Sequence, residues 1–156
     1  MIKIIPTGPQ DYAALRGAGV WRGYAVPEGG LEPDEVLQML VGWSQRLNDA
    51  QGWGSWIAVS GGEAVVSLAV KSPPVEGSVE IGYGTAPARR GQGLATKAVL
   101  AVLQDLMERG VTRATAETSV GNPASGRVLE KAGFQQIGTR MDAEDGALVL
   151  WSRPLP

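Results

Sequence analysis

The sequence predicts an α/β domain built on a mixed β-sheet that contains one parallel strand pair. Three observations predict it. Val79–Thr85, Leu94–Arg109 and Val111–Thr118 read as strand, helix and strand, and a connection of that length favours a parallel pair with a right-handed crossover. Two runs rich in β-branched and small residues, Ser55–Ser60 and Glu63–Lys71, flank Gly61-Gly62, a two-residue hairpin signal. The 156 residues are 44% apolar and 19% charged, with a net charge of −2. That is a globular profile, long enough to bury a core in one domain spanning residues 1–156.

Composition also excludes several classes. Mild acidity argues against nucleic acid or an anionic membrane as partner. No apolar run approaches transmembrane length, and the N-terminus Met1-Ile2-Lys3-Ile4-Ile5-Pro6 lacks the long apolar core of a signal peptide. The absence of cysteine excludes disulfides and thiolate chemistry, and the absence of histidine removes the commonest metal ligand and general base. The expectation is a cytoplasmic, metal-free protein, monomeric or homodimeric. Its chemistry would come from carboxylates, hydroxyls, backbone amides and bound ligands.

The elements follow in order. Ile2–Ile5 reads as a strand closed by Pro6, and Gln10–Arg16 as a short helix with Pro9 at its start. Gly17–Gly30, with Trp21, Tyr24 and Pro27, reads as a long irregular loop that either walls a substrate pocket or packs its aromatics on the core. Pro33 opens a helix from about Glu32 to Ala50, with acids in its first turn and a buried stripe of Val36, Leu37, Leu40, Val41 and Leu47. Gly52 and Gly54 stop it, and Trp53 and Trp56 are expected in the core or at its rim. After the hairpin, Pro73-Pro74 interrupts the chain before the Val79 strand. On the helix that follows, Ala95, Ala98, Val99, Val102 and Leu106 share a face, and Gly110 ends it. Asn122-Pro123-Ala124-Ser125 starts a short helix, with Asn capping and Pro in the first turn, and Gly133-Phe134 closes it. Ile137–Met141 and Ala147–Trp151 read as antiparallel strands joined by Asp145-Gly146.

The chemistry concentrates in Thr85-Ala86-Pro87-Ala88-Arg89-Arg90-Gly91-Gln92-Gly93-Leu94-Ala95-Thr96. Strand, basic glycine turn and helix start, in that order, make an anion site. Glycines let the backbone approach a ligand, and the first-turn N–H groups at the positive dipole end suit a phosphate or pyrophosphate. Arg89 and Arg90 add charge-assisted donors. No Gly-Lys-Ser/Thr ending is present for a Walker loop, and the glycine spacing is not that of a dinucleotide fingerprint. The alternative is a glycine-rich turn that holds nothing.

Arg90, Gly93 and Ala95 fill the pattern Arg/Gln-x-x-Gly-x-Gly/Ala, which resembles the acyl-CoA pyrophosphate loop of the GCN5-related N-acetyltransferase (GNAT) superfamily. A second stretch, Asn-x-x-Ser-x-Arg-Val-Leu-Glu-Lys-x-Gly-Phe from Asn122 to Phe134, is similar to the C-terminal motif of the ribosomal-protein-acetylating, RimJ/RimL-like branch. Val79-Glu80-Ile81-Gly82-Tyr83 looks like that branch too. The resemblance runs from about Ser55 to the end, and the first fifty residues match only in general layout.

That resemblance implies a GNAT fold: a mixed sheet of about seven strands, about four flanking helices, and a splayed parallel pair at the acyl-CoA site. It implies acetyl-CoA as cosubstrate and a primary amine as acceptor, either a protein N-terminus or a small molecule. The pantetheine arm would bond main chain near Thr85 and Pro87, and the pyrophosphate would rest on amides from Arg90 through Gly91, Gln92, Gly93, Leu94 and Ala95 to Thr96. Asn122 would contact the pantetheine arm and Arg127 the adenosine 3′-phosphate, with Phe134 packing the core. Glu117, five residues before Asn122, has the spacing of the proposed base in alanine-acetylating relatives, and Glu80 is the second candidate. Such a base is expected to have a pKa raised by partial burial. Each is equally readable as a solvated or salt-bridged strand carboxylate. Many relatives carry a leaving-group acid, tyrosine, seven residues after the asparagine, where this chain has Leu129. Ser125, and less strongly Tyr83, are the substitutes.

Overall fold

The computed structural model describes all 156 residues. The elements run β1 (Ile2–Pro6), α1 (Pro9–Leu15), β2 (Val20–Trp21), β3 (Tyr24–Ala25), α2 (Asp34–Gln51), β4 (Ser55–Ser60), β5 (Glu63–Val70), β6 (Ser78–Thr85), α3 (Leu94–Glu108), β7 (Arg113–Ser119), α4 (Pro123–Lys131), β8 (Gln135–Asp142) and β9 (Gly146–Pro154). A single 3₁₀ turn, Pro87–Arg89, leads out of β6. No helix is long and apolar enough to cross a membrane.

Seven strands form a sheet in the order β1-β4-β5-β6-β7-β9-β8, and the short β2 and β3 attach beside β5. The expected hairpin is present: Gly61 and Gly62 both take positive φ, 59° and 81°, so β4 turns directly into β5. The expected crossover is present too, with β6 and β7 parallel and α3 between them. Two cores lie on the two faces. The larger, under α3 and α4, gathers Trp56, Leu68, Ile81, Val99, Leu103, Ala116 and Leu129; the smaller, under α1 and α2, gathers Tyr12, Leu37, Leu40, Ile57 and Val59. Side chains alternate across a strand, so Trp56 and Ile57 feed opposite cores.

The boundaries of α2 differ from the sequence expectation. Pro33 caps the helix in an extended conformation (φ −59°, ψ 152°), and the helix starts at Asp34. Glu32 therefore lies outside the helix rather than in its first turn. At the other end Gly52 adopts the left-handed conformation, φ 75°, and its N–H returns to Asn48 and Leu47.

Residues 17–30 are more ordered than an irregular loop. Val20–Trp21 and Tyr24–Ala25 pair as a tight antiparallel ribbon, and Ala25 lies beside Glu63 of β5. A buried carboxylate holds the ribbon. Asp11 of α1, 5% exposed, accepts from Trp21 Nε1 (3.1 Å), Arg22 Nε (3.0 Å), Arg22 Nη2 (2.9 Å) and the Gly8 N–H (2.8 Å). Of the two readings of this segment, the aromatics pack the core: Trp21 is buried among α1, α2 and β4 residues.

Removing the Asp11 carboxylate strands the Trp21 N–H and the Arg22 guanidinium together. Asp11→Ala is expected to cost roughly 2–4 kcal/mol, the range for a hydrogen-bonded charge losing its buried partner. The urea midpoint should fall with an unchanged m-value; an unshifted midpoint would show that the ribbon holds itself.

Candidate functional site

The site begins where the sheet stops being continuous. β6 pairs with β7 only at Ser78–Arg113, Val79–Ala114 and Glu80–Thr115. Beyond Glu80 the strands part, β6 staying with β5 and β7 with β9. On the β5 side, the Lys71 N–H donates to the Glu80 carbonyl (2.9 Å) and the Ala86 N–H to the Val65 carbonyl (2.8 Å). Antiparallel bonding alternates along a strand, so the main-chain groups of Tyr83 and Thr85 point away from β5, into the gap.

The anion loop closes one end of that gap. Gly91 and Gly93 take positive φ, 76° and 74°, and an added Cβ at either would meet nothing within 4 Å. These glycines are required by the turn, and the space beside them is open. Gly93 caps α3 with no side-chain bond, leaving the first-turn N–H groups exposed to the cavity. The cavity, about 620 Å³, is lined by the loop from Arg89 to Thr96, by Tyr83–Thr85, and by α4. Four of its lining residues are cationic, Arg89, Arg90, Arg127 and Lys131, and none is acidic. In a chain of net charge −2 that separation marks an anion pocket.

Arg89 and Arg90 do different work. Arg89 is held bidentately by Glu63 (2.8 Å and 2.8 Å) and so braces the loop against β5; Arg90 forms no ion pair within 4 Å and is exposed. Pro87, exposed at the start of the 3₁₀ turn, is not among the lining residues.

Helix α4 supplies the opposite wall. Asn122 accepts from the Ser125 N–H (3.4 Å) as cap, and Pro123 follows at the first position. Gly126 lets the helix settle on the sheet: a Cβ there would lie 3.1 Å from the Trp151 ring. That seating turns Asn122, Ser125 and Arg127 toward the cavity, and Ser125 meets Tyr83. Tyr83 Oη donates to the Ser125 carbonyl (2.8 Å), so the 2.8 Å contact with Ser125 Oγ is made by the serine donating to the phenol. Burial pushes the Tyr83 phenol above its ordinary value, against the opposing effect of Ser125, which keeps it protonated at neutral pH. The two proposed leaving-group donors are thus one hydrogen-bonded pair. Leu129 is fully buried in the larger core, and Phe134 packs there as well.

Glu80 and Glu117 occupy the other face. On β7, Ala114, Ala116 and Thr118 are buried, so the intervening Glu117 projects to the side opposite α3 and α4. Both carboxylates are in ion pairs. Lys71 Nζ lies 2.7 Å from Glu80 Oε2, off the hydrogen-bonding direction, and 5.7 Å from the Trp43 ring. Arg140 of β8 grips Glu117 with two N–H groups and reaches Asp142 at 3.4 Å. The Arg140 hydrogen bond holds the Glu117 carboxyl below its ordinary value, with Glu80 and Lys71 adding to it and burial opposing. The sequence expectation was a raised value; the guanidinium reverses it. Lys71, Glu117, Ser119 and Arg140 line a second, open cavity of about 380 Å³.

Three charged groups beside the parted strands were not legible beforehand. Lys71 and Arg140 come to the carboxylates by strand register, and no local pattern announces that. The third is Glu32. Its carboxylate lies over Gly84 of β6, where an added Cβ would stand 2.9 Å from the carboxyl carbon. Burial raises its pKa, with Ser67 and Arg90 pulling the other way. The Glu32-Pro33 step, which starts the helix late, was the available signal.

Comparison with known proteins agrees with this geometry. The acetyltransferase (GNAT) domain family profile matches residues 4–135. No curated protein matches the chain by sequence. Among solved structures, AAC(6')-Ib in complex with ribostamycin and coenzyme A superposes at a TM-score of 0.71 with 23% identity, covering 98% of this chain and 93% of that one. RimL, a ribosomal L7/L12 α-N-protein acetyltransferase bound to coenzyme A, gives 0.74 with 18% identity over 99% and 94%. Mycobacterium smegmatis RimJ with CoA-disulfide gives 0.70 with 20% identity over 98% and 81%. At these identities the likeness is one of fold, and the mixed sheet with four helices is the GNAT fold.

The Arg140–Glu117 pair sets a pH dependence. Glu117 titrates lower in the fold than in the unfolded chain, so its contribution is present above the ordinary value of 4.5 and is lost as pH falls through the depressed one. Arg140→Gln should therefore melt below the parent at pH 7, and the difference should close as the pH is lowered through that window. A difference independent of pH would assign the effect to packing.

Proposed function

The chain belongs to the acetyltransferase (GNAT) family, and on that premise we propose that it moves an acetyl group from acetyl-CoA to a primary amine by direct attack. The observation that carries this reading is the cavity at the parted strands, with four cations, a helix N-terminus and no acid around it. Coenzyme A bears a pyrophosphate and a 3′-phosphate, and a groove with this charge fits both. The amides from Arg90 to Thr96 would take the pyrophosphate, and Arg127, with Lys131 one turn on, the 3′-phosphate. The pantetheine arm would lie along β6 and bond the gap-facing main chain of Tyr83 and Thr85, as an added strand does, with Asn122 beside it. Pro87 would act by turning the chain out of β6.

The thioester then sits where the two faces of the sheet communicate. An amine approaching from the side of Glu80 and Glu117 attacks the carbonyl carbon, and coenzyme A leaves as a thiolate toward the other side. The Tyr83–Ser125 pair is placed to protonate that sulfur and fills the role for which Leu129 offers no hydroxyl. Glu117 and Glu80 line the acceptor's approach; Glu117 holds the strand position of a base, but Arg140 keeps its carboxylate paired and its pKa low. Carboxylates on that face suit a cationic acceptor, such as a protein N-terminus or a small amine. Because it consumes acetyl-CoA, the activity belongs in the cytoplasm.

Two measurements test the reading. Incubation with acetyl-CoA and a broad amine and peptide panel should yield a product heavier by one acetyl group in the mass spectrometer, with stoichiometric free thiol. Acetyl-CoA should also raise the melting temperature, by about 2.7 kcal/mol of stabilisation at a hundredfold excess over Kd. Dephospho-CoA should raise it less, and Arg127→Ala should erase that preference. Stabilisation without product would leave an acyl-CoA-binding module; no stabilisation would overturn the cavity assignment.

A further inference from the structure

Three carboxylates surround the parted strands on the acceptor side, and two are neutralised: Glu80 by Lys71 and Glu117 by Arg140. Glu32 alone has no ion pair within 4 Å and no hydrogen bond of ordinary geometry. It is nonetheless half-buried, with its carboxylate over Gly84, whose strand lines the cavity assigned to acetyl-CoA. Gly84 pairs with Ser67 and has no positive φ. The space beside position 84 is occupied by the carboxylate end of Glu32, which a larger residue there would displace. The chain is built to bring it there: Leu31 is buried at 2% exposure, Pro33 is itself extended and disfavours a helical conformation at Glu32 before it, and the helix begins only at Asp34.

Resting on the acetyltransferase reading above, we propose that Glu32 receives the acceptor's ammonium group and takes its proton. A half-buried carboxylate without an ion-pair partner is costly, and it supplies what a cationic acceptor needs, a counter-charge and a base at the strand against which the thioester would lie. In the step, the ammonium passes one proton to Glu32, and the freed nitrogen lone pair bonds to the thioester carbon. The C–S bond breaks with its electrons going to sulfur. The second nitrogen proton returns to sulfur through the Tyr83–Ser125 hydroxyls, and Glu32 releases its proton to solvent. The products are an amide, free coenzyme A and one proton. Burial, which raises the Glu32 pKa, moves the group toward a useful base strength. The groups that face it are Arg90 from the anion loop, the Ser67 hydroxyl from β5 and, within electrostatic reach, Tyr12 from α1.

Glu32→Gln keeps the shape and removes the basicity. It should lower kcat/KM by roughly 10²–10⁴-fold, with acetyl-CoA affinity by calorimetry unchanged, and the deficit should shrink as rising pH supplies neutral amine. Stability should move the opposite way. A carboxyl whose pKa is raised in the fold costs stability once ionised, a cost absent below the ordinary value of 4.5 and complete above the raised one. The glutamine variant should therefore melt higher at pH 7 and lose that advantage in acid. Gly84→Ala, which crowds the carboxylate, should reduce kcat/KM in the parent and add little in the Glu32→Gln background. Near-parental activity of Glu32→Gln would overturn the proposal. So would a fall in activity accompanied by a lower melting temperature and no relief at high pH, which marks a structural residue. If the parent itself binds acetyl-CoA and acetylates nothing, the transferase reading fails and the proposal falls with it, an outcome recognisable without any variant.

Discussion

The site depends on a ladder that ends early. Backbone N–H and C=O groups must find partners, and in most of this sheet they do: β4, β5 and β6 pair along nearly their whole lengths, as do β7, β9 and β8. Between β6 and β7 the pairing lasts three residues and stops. The consequence is a strand, Ile81–Thr85, with one edge satisfied by β5 and the other turned to an open gap. The anion loop, the seating of α4 and the opposed cavities all take their positions from that divergence. A ligand with amides of its own could complete the edge, and the proposed cosubstrate carries such amides.

Charge is sorted across the same divide. On the α3–α4 side the lining is cationic and free of acids; on the opposite side carboxylates and cations alternate in pairs. Arg89 lines the cationic side but is neutralised by Glu63, and it stiffens the loop on which Arg90 keeps its charge free. Tyr83 and Ser125 stand at the boundary between the two sides.

What was legible in the sequence was what local chemistry dictates. Gly93, Asn122-Pro123, Gly133 and Gly61-Gly62 mark ends and turns because backbone conformation leaves few residues able to serve there, and each falls where it was expected. The parallel pair followed from the length of its connection. The remainder depends on contacts made at a distance. The β2–β3 ribbon is ordered by Asp11, ten residues from Trp21, and Arg140 meets Glu117 through a register shared via β9. Glu32 reads as an ordinary first-turn acid if Pro33 lies inside the helix, whereas Pro33 caps a helix that starts two residues after Glu32.

The packing of Glu32 against Gly84 also bears on ancestry. Both positions lie within the profile-matched residues, yet one precedes a helix and the other lies deep in a strand. A side chain at 84 would displace the Glu32 carboxylate from its place over the strand, while the backbone at 84 would accept any residue. Where the carboxylate is used at this place the two positions are coupled, so relatives that keep an acid before the helix should tend to keep glycine in the strand, and those without the acid should be free to vary there. Such a paired signature would sort relatives by how they meet the acceptor, even where overall identity has fallen too low to group them.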